Sequence, residues 1–276
     1  MHSPDQLYID LLKKTLTFSL WPEPPMPIGF FSKKKSPRVQ KLINGVNNFL
    51  GRRGLMLGAV PSHSDDAREG GETWPGYADT MVGRKRLDNL EYCVRQVIID
   101  DVPGDLIETG VWRGGSCILM RGILRALNIK DRRVFVADSF EGLPLPEADK
   151  YPADAGDKHH AYSFLAVSEE AVRRNFERYG LLDDQVVFLK GFFEDTLPDA
   201  PIEKVAVLRL DGDMYSSTMD ALNALFHKLS PGGFCIIDDY ALPGCAKAVE
   251  DFRKEHGIIE PLETIDNIAK FWRKPL

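Results

Sequence analysis

Four aspartates stand in two short clusters in the C-terminal part of the chain, Leu210-Asp211-Gly212-Asp213 and Ile237-Asp238-Asp239-Tyr240. Each cluster follows an apolar run, 205–210 or 234–237, so each acid falls where a buried strand gives way to a loop. That is where α/β sheets place ligands. Neighbouring carboxylates repel one another and persist where a cation or a proton compensates. A hard divalent metal is the economical compensation.

Three earlier turns carry a different chemistry. The turn Leu106-Ile-Glu108-Thr-Gly110-Val-Trp-Arg-Gly114-Gly115-Ser116 lacks both the dinucleotide fingerprint and a phosphate loop, which argues against a diphosphate ligand. Its glycines allow close backbone approach, its helix N-terminus at Ser116 suits a carboxylate, and Glu108 suits an ammonium. A second turn ends in Asp138, placed to accept hydrogen bonds from ribose hydroxyls. A third, Lys190-Gly-Phe192-Phe193-Glu194-Asp195, offers aromatic faces and acids to an adenine ring. In chain order these turns describe an adenosine carrying an amino acid tail.

The elements that must hold these turns are regular from Thr80 onward. Strand patterns at 105–109, 133–138, 186–190, 205–211 and 233–238 alternate with helical patterns at 82–99, 116–127, 168–179, 216–229 and 245–256. Such a βαβ series builds a mostly parallel sheet covered on both faces. Two last runs, 262–265 and 269–272, predict an antiparallel hairpin at the sheet edge. Residues 1–73 differ, with Pro22, Pro24, Pro25, Pro27, the run Lys33-Lys34-Lys35 and a Gly-rich charged patch over 62–74. They predict helices at 5–20 and 37–51, loops and a connector. The expected division is therefore 1–73, a variable helical lid or assembly segment, and 74–276, the catalytic domain.

Composition narrows the partners. The 276 residues are 43% apolar and 28% charged, enough for one large α/β domain with an appendage. A net charge of -6 gives no basic field for nucleic acid or an anionic membrane, so the expected partner is a small molecule. Cys93, Cys117, Cys235 and Cys245 show no Cys-x-x-Cys spacing and predict reduced packing residues in a cytoplasmic protein. No segment has the length of a membrane span, and 16–21 is too short for a signal sequence.

Glu108-Thr-Gly-Val-Trp-Arg-Gly-Gly115, Ala137-Asp-Ser-Phe-Glu-Gly142, Leu210-Asp-Gly-Asp-Met-Tyr215 and Ile237-Asp-Asp-Tyr240 resemble the macrocin-type O-methyltransferases. The resemblance covers roughly 74–274. It implies a class I methyltransferase fold, S-adenosylmethionine, magnesium (Mg2+), and methylation of a sugar hydroxyl on a glycosylated natural product. Carried over position by position, it makes Asp211, Asp238 and Asp239 the metal ligands, with Asp213 the general base as in members resembling the noviose methyltransferase. It places the cofactor against Thr80, Met81, Glu108, Thr109, Gly110, Val111, Trp112, Asp138, Ser139, Phe140, Glu141, Gly142, Ser163, Phe192, Phe193 and Asp211. A homo-oligomer is expected.

Those roles are chemically consistent. Magnesium takes six oxygens at about 2.0–2.1 Å, so three aspartates leave room for two sugar hydroxyls and a water. An aspartate with a pKa of about 3.9 is too acidic to deprotonate a free alcohol, so coordination must first acidify the hydroxyl. Simpler readings compete: helix caps or ion pairs for Asp213 and Asp239, and core or interface positions for Trp74, Trp112 and Trp272, while the polar loop with His159-His160 reads as an exposed lid over the substrate, outside the metal shell. A metal-dependent hydrolase would use the acids but needs no adenosine pocket. A scaffold that keeps the cofactor site without turnover competes as well, as does an O-methyltransferase acting on a catechol-like acceptor.

Overall fold

The computed structural model describes residues 3–27, 37–60, 64–73 and 76–276. The lysine run 33–35 and Trp74 lie outside the described residues. A two-residue ribbon pairs β1 (Met26–Pro27) with β2 (Gly58–Ala59). The main sheet contains β3 (Asp105–Thr109), β4 (Val134–Asp138), β5 (Val186–Lys190), β6 (Val205–Leu210), β7 (Leu229–Ile237), β8 (Glu263–Thr264) and β9 (Lys270–Arg273).

Its seven strands run in the order β5-β4-β3-β6-β7-β9-β8. The first five are parallel to their neighbours, β9 runs antiparallel to β7, and β8 closes the edge against β9. The expected doubly wound, mostly parallel sheet with an antiparallel hairpin at its edge is thus present. The chain builds outward from β3 to β5, then crosses back to begin β6 beside β3. This reversal opens a crevice at the carboxyl ends of β3 and β6, the place such sheets bind ligands.

Every residue of β6 is buried, as expected for a central parallel strand covered on both faces. One face carries α4 (Arg84–Ile99) and α5 (Gly115–Ala126), packed through Leu87, Leu90, Ile118 and Ile123. The other carries α8 (Tyr215–Leu225) and α9 (Pro243–Glu255), packed through Leu222, Val249 and Phe252 against the fully buried Trp272. Trp272 is therefore a core residue. α6 (Glu169–Arg178) and the short α7 (Phe193–Thr196) flank the β4–β5 side and the end of β5.

The N-terminal segment enters this core. α1 (Pro4–Leu16) buries Ile9, Leu12 and Leu16 in the same cluster as α4 and α5. Lys13 is only 1% exposed and pairs with Asp88 at 2.6 Å and with Glu91. The helix stops short of the predicted residue 20 because Phe18 takes a left-handed φ of 55°. α2 spans Pro37–Gly51 as the sequence predicts. Within the patch read as a connector, Ser64 caps a short α3 (Asp65–Glu69) by accepting the Ala67 N–H at 3.2 Å.

Candidate active site

The turn after β3 is shaped by Gly110, whose φ is 87° and whose missing side chain would lie 1.7 Å from the Asp211 carbonyl oxygen. Only glycine lets the β3 and β6 turns meet so closely. Trp112 follows in a left-handed conformation and donates its indole N–H to the Phe164 carbonyl at 2.9 Å. Arg113 reaches back to the carbonyls of Gly76 and Ala78, at 2.8 and 2.6 Å. Tyr179 adds a hydrogen bond to Asp79 at 2.7 Å, so Thr80 and Met81 are held beside the turn.

Glu108 ends up 2% exposed, with burial raising its pKa and the Arg209 guanidinium opposing that rise. Its Oε2 accepts the Cys117 thiol at 3.0 Å. Asp138 uses one oxygen for the Val111 N–H and the other for the Phe140 N–H, both at 2.7 Å. A carboxylate oxygen accepts more than one hydrogen bond, so both retain capacity toward the cleft.

Across the crevice, ligand oxygens of Asp211, Asp238 and Asp239 lie within 4.8 Å of one another. The sequence pattern points only to acids here; the structure adds two guanidinium groups. Asp238 Oδ1 accepts Arg209 Nη2 at 2.6 Å, and its Oδ2 accepts Arg86 Nη1 at 2.5 Å. Arg86 also bonds Asp266 at 3.0 Å and the Gly71 carbonyl at 3.3 Å, joining α4, the β8–β9 turn and the N-terminal segment. These cations do not balance the cluster. Asp211 is pushed well above the usual carboxylate range by burial and then by Asp238 and Asp239. Asp239 is pushed up by burial, Asp213 and Asp238. Asp213 is raised to about 8, by burial first and Asp211 second. Its φ of 58° is left-handed, and its N–H is held by Asp239 Oδ2 at 3.0 Å.

One cleft of about 350 Å³ brings most of the predicted residues together. Thr80, Met81, Glu108, Gly110, Val111, Trp112, Asp138, Ser139, Gly142, Phe192 and Phe193 line it, together with Asp211, Asp213, Asp238 and Asp239. Thr109, Phe140, Glu141 and Ser163 are not in the lining. Thr109 and Phe140 are buried behind it, Glu141 and Ser163 are exposed, and Ser163 adjoins the Phe164 carbonyl that holds Trp112. His159 lines the cleft, held by Asp157 at 2.6 Å, and does not belong to the group of possible metal ligands.

The sequence model of the macrocin O-methyltransferase (TylF) family matches residues 5–274. The chain belongs to this family. The match includes most of the N-terminal segment, which the motif resemblance leaves out. The chain is 49% identical to the 8-demethyl-8-(2,3-dimethoxy-alpha-L-rhamnosyl)-tetracenomycin-C 4'-O-methyltransferase of Streptomyces olivaceus, covering 97% of this chain and 92% of that protein. It is 44% identical to the mycinamicin III 3''-O-methyltransferase of Micromonospora griseorubida, over 98% and 96% of the two chains. The solved structure of the O-methyltransferase NovP superposes with a TM-score of 0.83 at 44% identity, over 99% of this chain and 100% of that one. This macrocin-type enzyme is an S-adenosylmethionine-dependent O-methyltransferase with the class I fold.

The residues present fit both groups the family reading brings. For the cofactor, Glu108 and Asp138 both line the cleft, and Asp138 keeps acceptor capacity there. For a divalent cation, three carboxylate oxygens converge where the neighbouring arginines leave an excess of negative charge. Two important residues went unread in the sequence. Arg209 was signalled, as a lone charge inside an apolar strand. Arg86 sits in the run Arg84-Lys85-Arg86, which reads as a solvated helix start and gives no such signal.

Proposed function

We propose that this enzyme transfers a methyl group from S-adenosylmethionine to a sugar hydroxyl of a glycosylated, antibiotic-type natural product, with magnesium in the site. One observation carries the reading: the Glu108–Asp138 arm and the four-aspartate arm open into a single cleft. The names of the relatives, which methylate tetracenomycin and mycinamicin substrates, support the acceptor class.

Glu108, Asp138, the Gly110–Trp112 turn and Phe192 with Phe193 would hold the cofactor, which supplies a sulfonium methyl group. Asp211, Asp238 and Asp239 would hold magnesium, which supplies Lewis acidity toward an acceptor hydroxyl. Asp213 takes the hydroxyl proton on its carboxylate as the oxygen attacks, and its placement beside the ligand cluster supports that role. Holding donor and acceptor in one cleft would supply much of the rate by positioning.

Residues 64–73 contribute to the acceptor side through Gly71, which lines the cleft. Assembly with a second copy is part of the proposal. The α2 face bearing Val39, Leu42, Val46 and Phe49 is exposed, and α2 with its following turn carries Arg38, Lys41, Arg52 and Arg53 without an acid, on a chain of net charge -6. Buried free cysteines suit a reducing, cytoplasmic setting.

The test is a panel of deoxysugar-bearing glycosides and catechol acceptors incubated with methyl-labelled cofactor, with magnesium or with chelator. Label on a sugar hydroxyl that disappears with chelator is the expected result. Label confined to catechol acceptors would move the acceptor class, and label unaffected by chelator would remove the metal. Light scattering of native protein and Leu42→Asp checks assembly, with a smaller species expected for the variant.

A further inference from the structure

Arg209 is the penultimate residue of β6, with 2% of its side chain exposed, and each guanidinium nitrogen meets a different carboxylate. Nη2 donates to Asp238 Oδ1 at 2.6 Å, Nη1 donates to Asp211 Oδ2 at 3.2 Å, and Nε lies 3.4 Å from Glu108 Oε1. The three acids come from three adjacent strands: Glu108 within β3, Asp211 just past β6 and Asp238 just past β7. Strand register sets Glu108 directly beside Arg209 on one side and Ile236, two residues before Asp238, on the other. Burial opposes the charge of Arg209, but Asp238, Glu108 and Asp211 reverse that and hold it protonated.

We propose that Arg209 is a positioning residue shared by the two reactant subsites, one guanidinium orienting Glu108 for the methyl donor and Asp211 with Asp238 for the acceptor-side cation. The inference rests on the reading of the two subsites given above. The guanidinium is a rigid planar fork, so its three directions cannot adjust independently. A shift of one acid is felt by the other two. Glu108 is further fixed by Cys117 on its second oxygen, and Asp238 by Arg86 on its second oxygen. Among these partners only Arg209 touches both sets. A lysine there keeps the charge but places it on a single nitrogen, which cannot reproduce the three-way geometry.

The experiment compares full-length native protein with Arg209→Lys by titration calorimetry, after circular dichroism has confirmed that the variant is folded. S-adenosylhomocysteine is titrated without metal, and magnesium chloride is titrated without cofactor. Arg209→Lys is expected to weaken both probes, each on the order of tenfold, the scale of losing an orienting partner behind a ligand. A merely structural role would lower the melting temperature and leave both affinities native. Loss confined to one probe also overturns the shared role.

Glu108→Gln, which leaves Arg209 in place, gives a second measurement should Arg209→Lys not fold. With Glu108 neutral, the guanidinium concentrates on Asp211 and Asp238, and magnesium affinity falls about fivefold or more although no ligand has changed. Unchanged magnesium affinity in Glu108→Gln counts against the proposal. If native protein binds neither or only one of the probes, the reading of the corresponding subsite fails and the inference with it. If native protein binds both and Arg209→Lys binds both equally well, only the inference falls.

Discussion

Asp154 caps the start of α8 in place of the residue that precedes it, its Oδ1 accepting the Tyr215 N–H at 2.6 Å. Its Oδ2 accepts the Ser216 N–H at 3.0 Å, and Met214, at the cap position itself, offers no side-chain bond. The carboxylate is 3% exposed and joins the loop after β4 to the turn that carries Asp213. A cap of this kind, aided by the helix dipole, contributes about 1–2 kcal/mol. Asp154→Ala should lose that stability in denaturant melts and lower turnover more than S-adenosylhomocysteine affinity. Native melting and native turnover in the variant would show that the cap positions nothing.

The two acids flanking Gly212 should separate by role. Asp213→Asn is expected to keep magnesium affinity while slowing the chemical step by about 10²–10⁴-fold, as for a lost general base. Asp211→Asn should lose the metal instead. Calorimetry with magnesium in the presence of cofactor and acceptor, together with single-turnover rates, distinguishes them. Equal loss of metal affinity in both variants would make His159, which lines the cleft and is held by Asp157 at 2.6 Å, the candidate proton acceptor instead.

Three strand ends were legible in the sequence because an apolar run meets an acid there: 134–137 before Asp138, which ends β4, 205–210, broken only by Arg209, before Asp211 just past β6, and 234–237 before Asp238 just past β7. What could not be read is whatever depends on distant segments meeting. The Gly110 approach to Asp211, the capping of α8 by Asp154, and the bracketing of Asp238 by Arg86 and Arg209 all join residues far apart in the chain. The left-handed backbone of Trp112 and Phe140 was equally hidden, since neither aromatic announces that conformation, whereas aspartate tolerates it more readily at Asp213.

The N-terminal helix changes what a truncation would do. A chain cut before residue 74 would expose the α4–α5 surface that Ile9, Leu12 and Leu16 cover, and would take Lys13 away from Asp88 and the buried Glu91, leaving them only Arg84 and Arg95. Such a truncation is therefore expected to unfold and to lose cofactor binding. A point variant is cleaner: Leu12→Ala should destabilise by about 2–5 kcal/mol, the usual range for a buried leucine, and leave KM for the acceptor unchanged. A stable truncated protein that still binds S-adenosylhomocysteine would place α1 outside the folding core.

Asp220 gives a pH-dependent prediction away from the ligand cluster. It lies on α8, lines the cleft half-buried, and is raised to about 6 by burial and then by Glu194, with Asp154 and Glu147 adding and Lys150 opposing. A carboxyl whose folded pKa exceeds its unfolded value favours the folded state while protonated and loses that contribution as pH rises through the folded pKa. The native protein thus carries the full penalty of an ionised Asp220 only above about pH 6. Asp220→Asn removes the penalty, so its stability gain over native should be small at pH 4 and grow to a plateau above pH 6. Solvent screening at a half-exposed site limits that plateau to about 1 kcal/mol. Melting temperatures of both proteins across this range check the sign: a gain that shrinks as pH rises would mean that Asp220 is stabilised, not strained, when ionised.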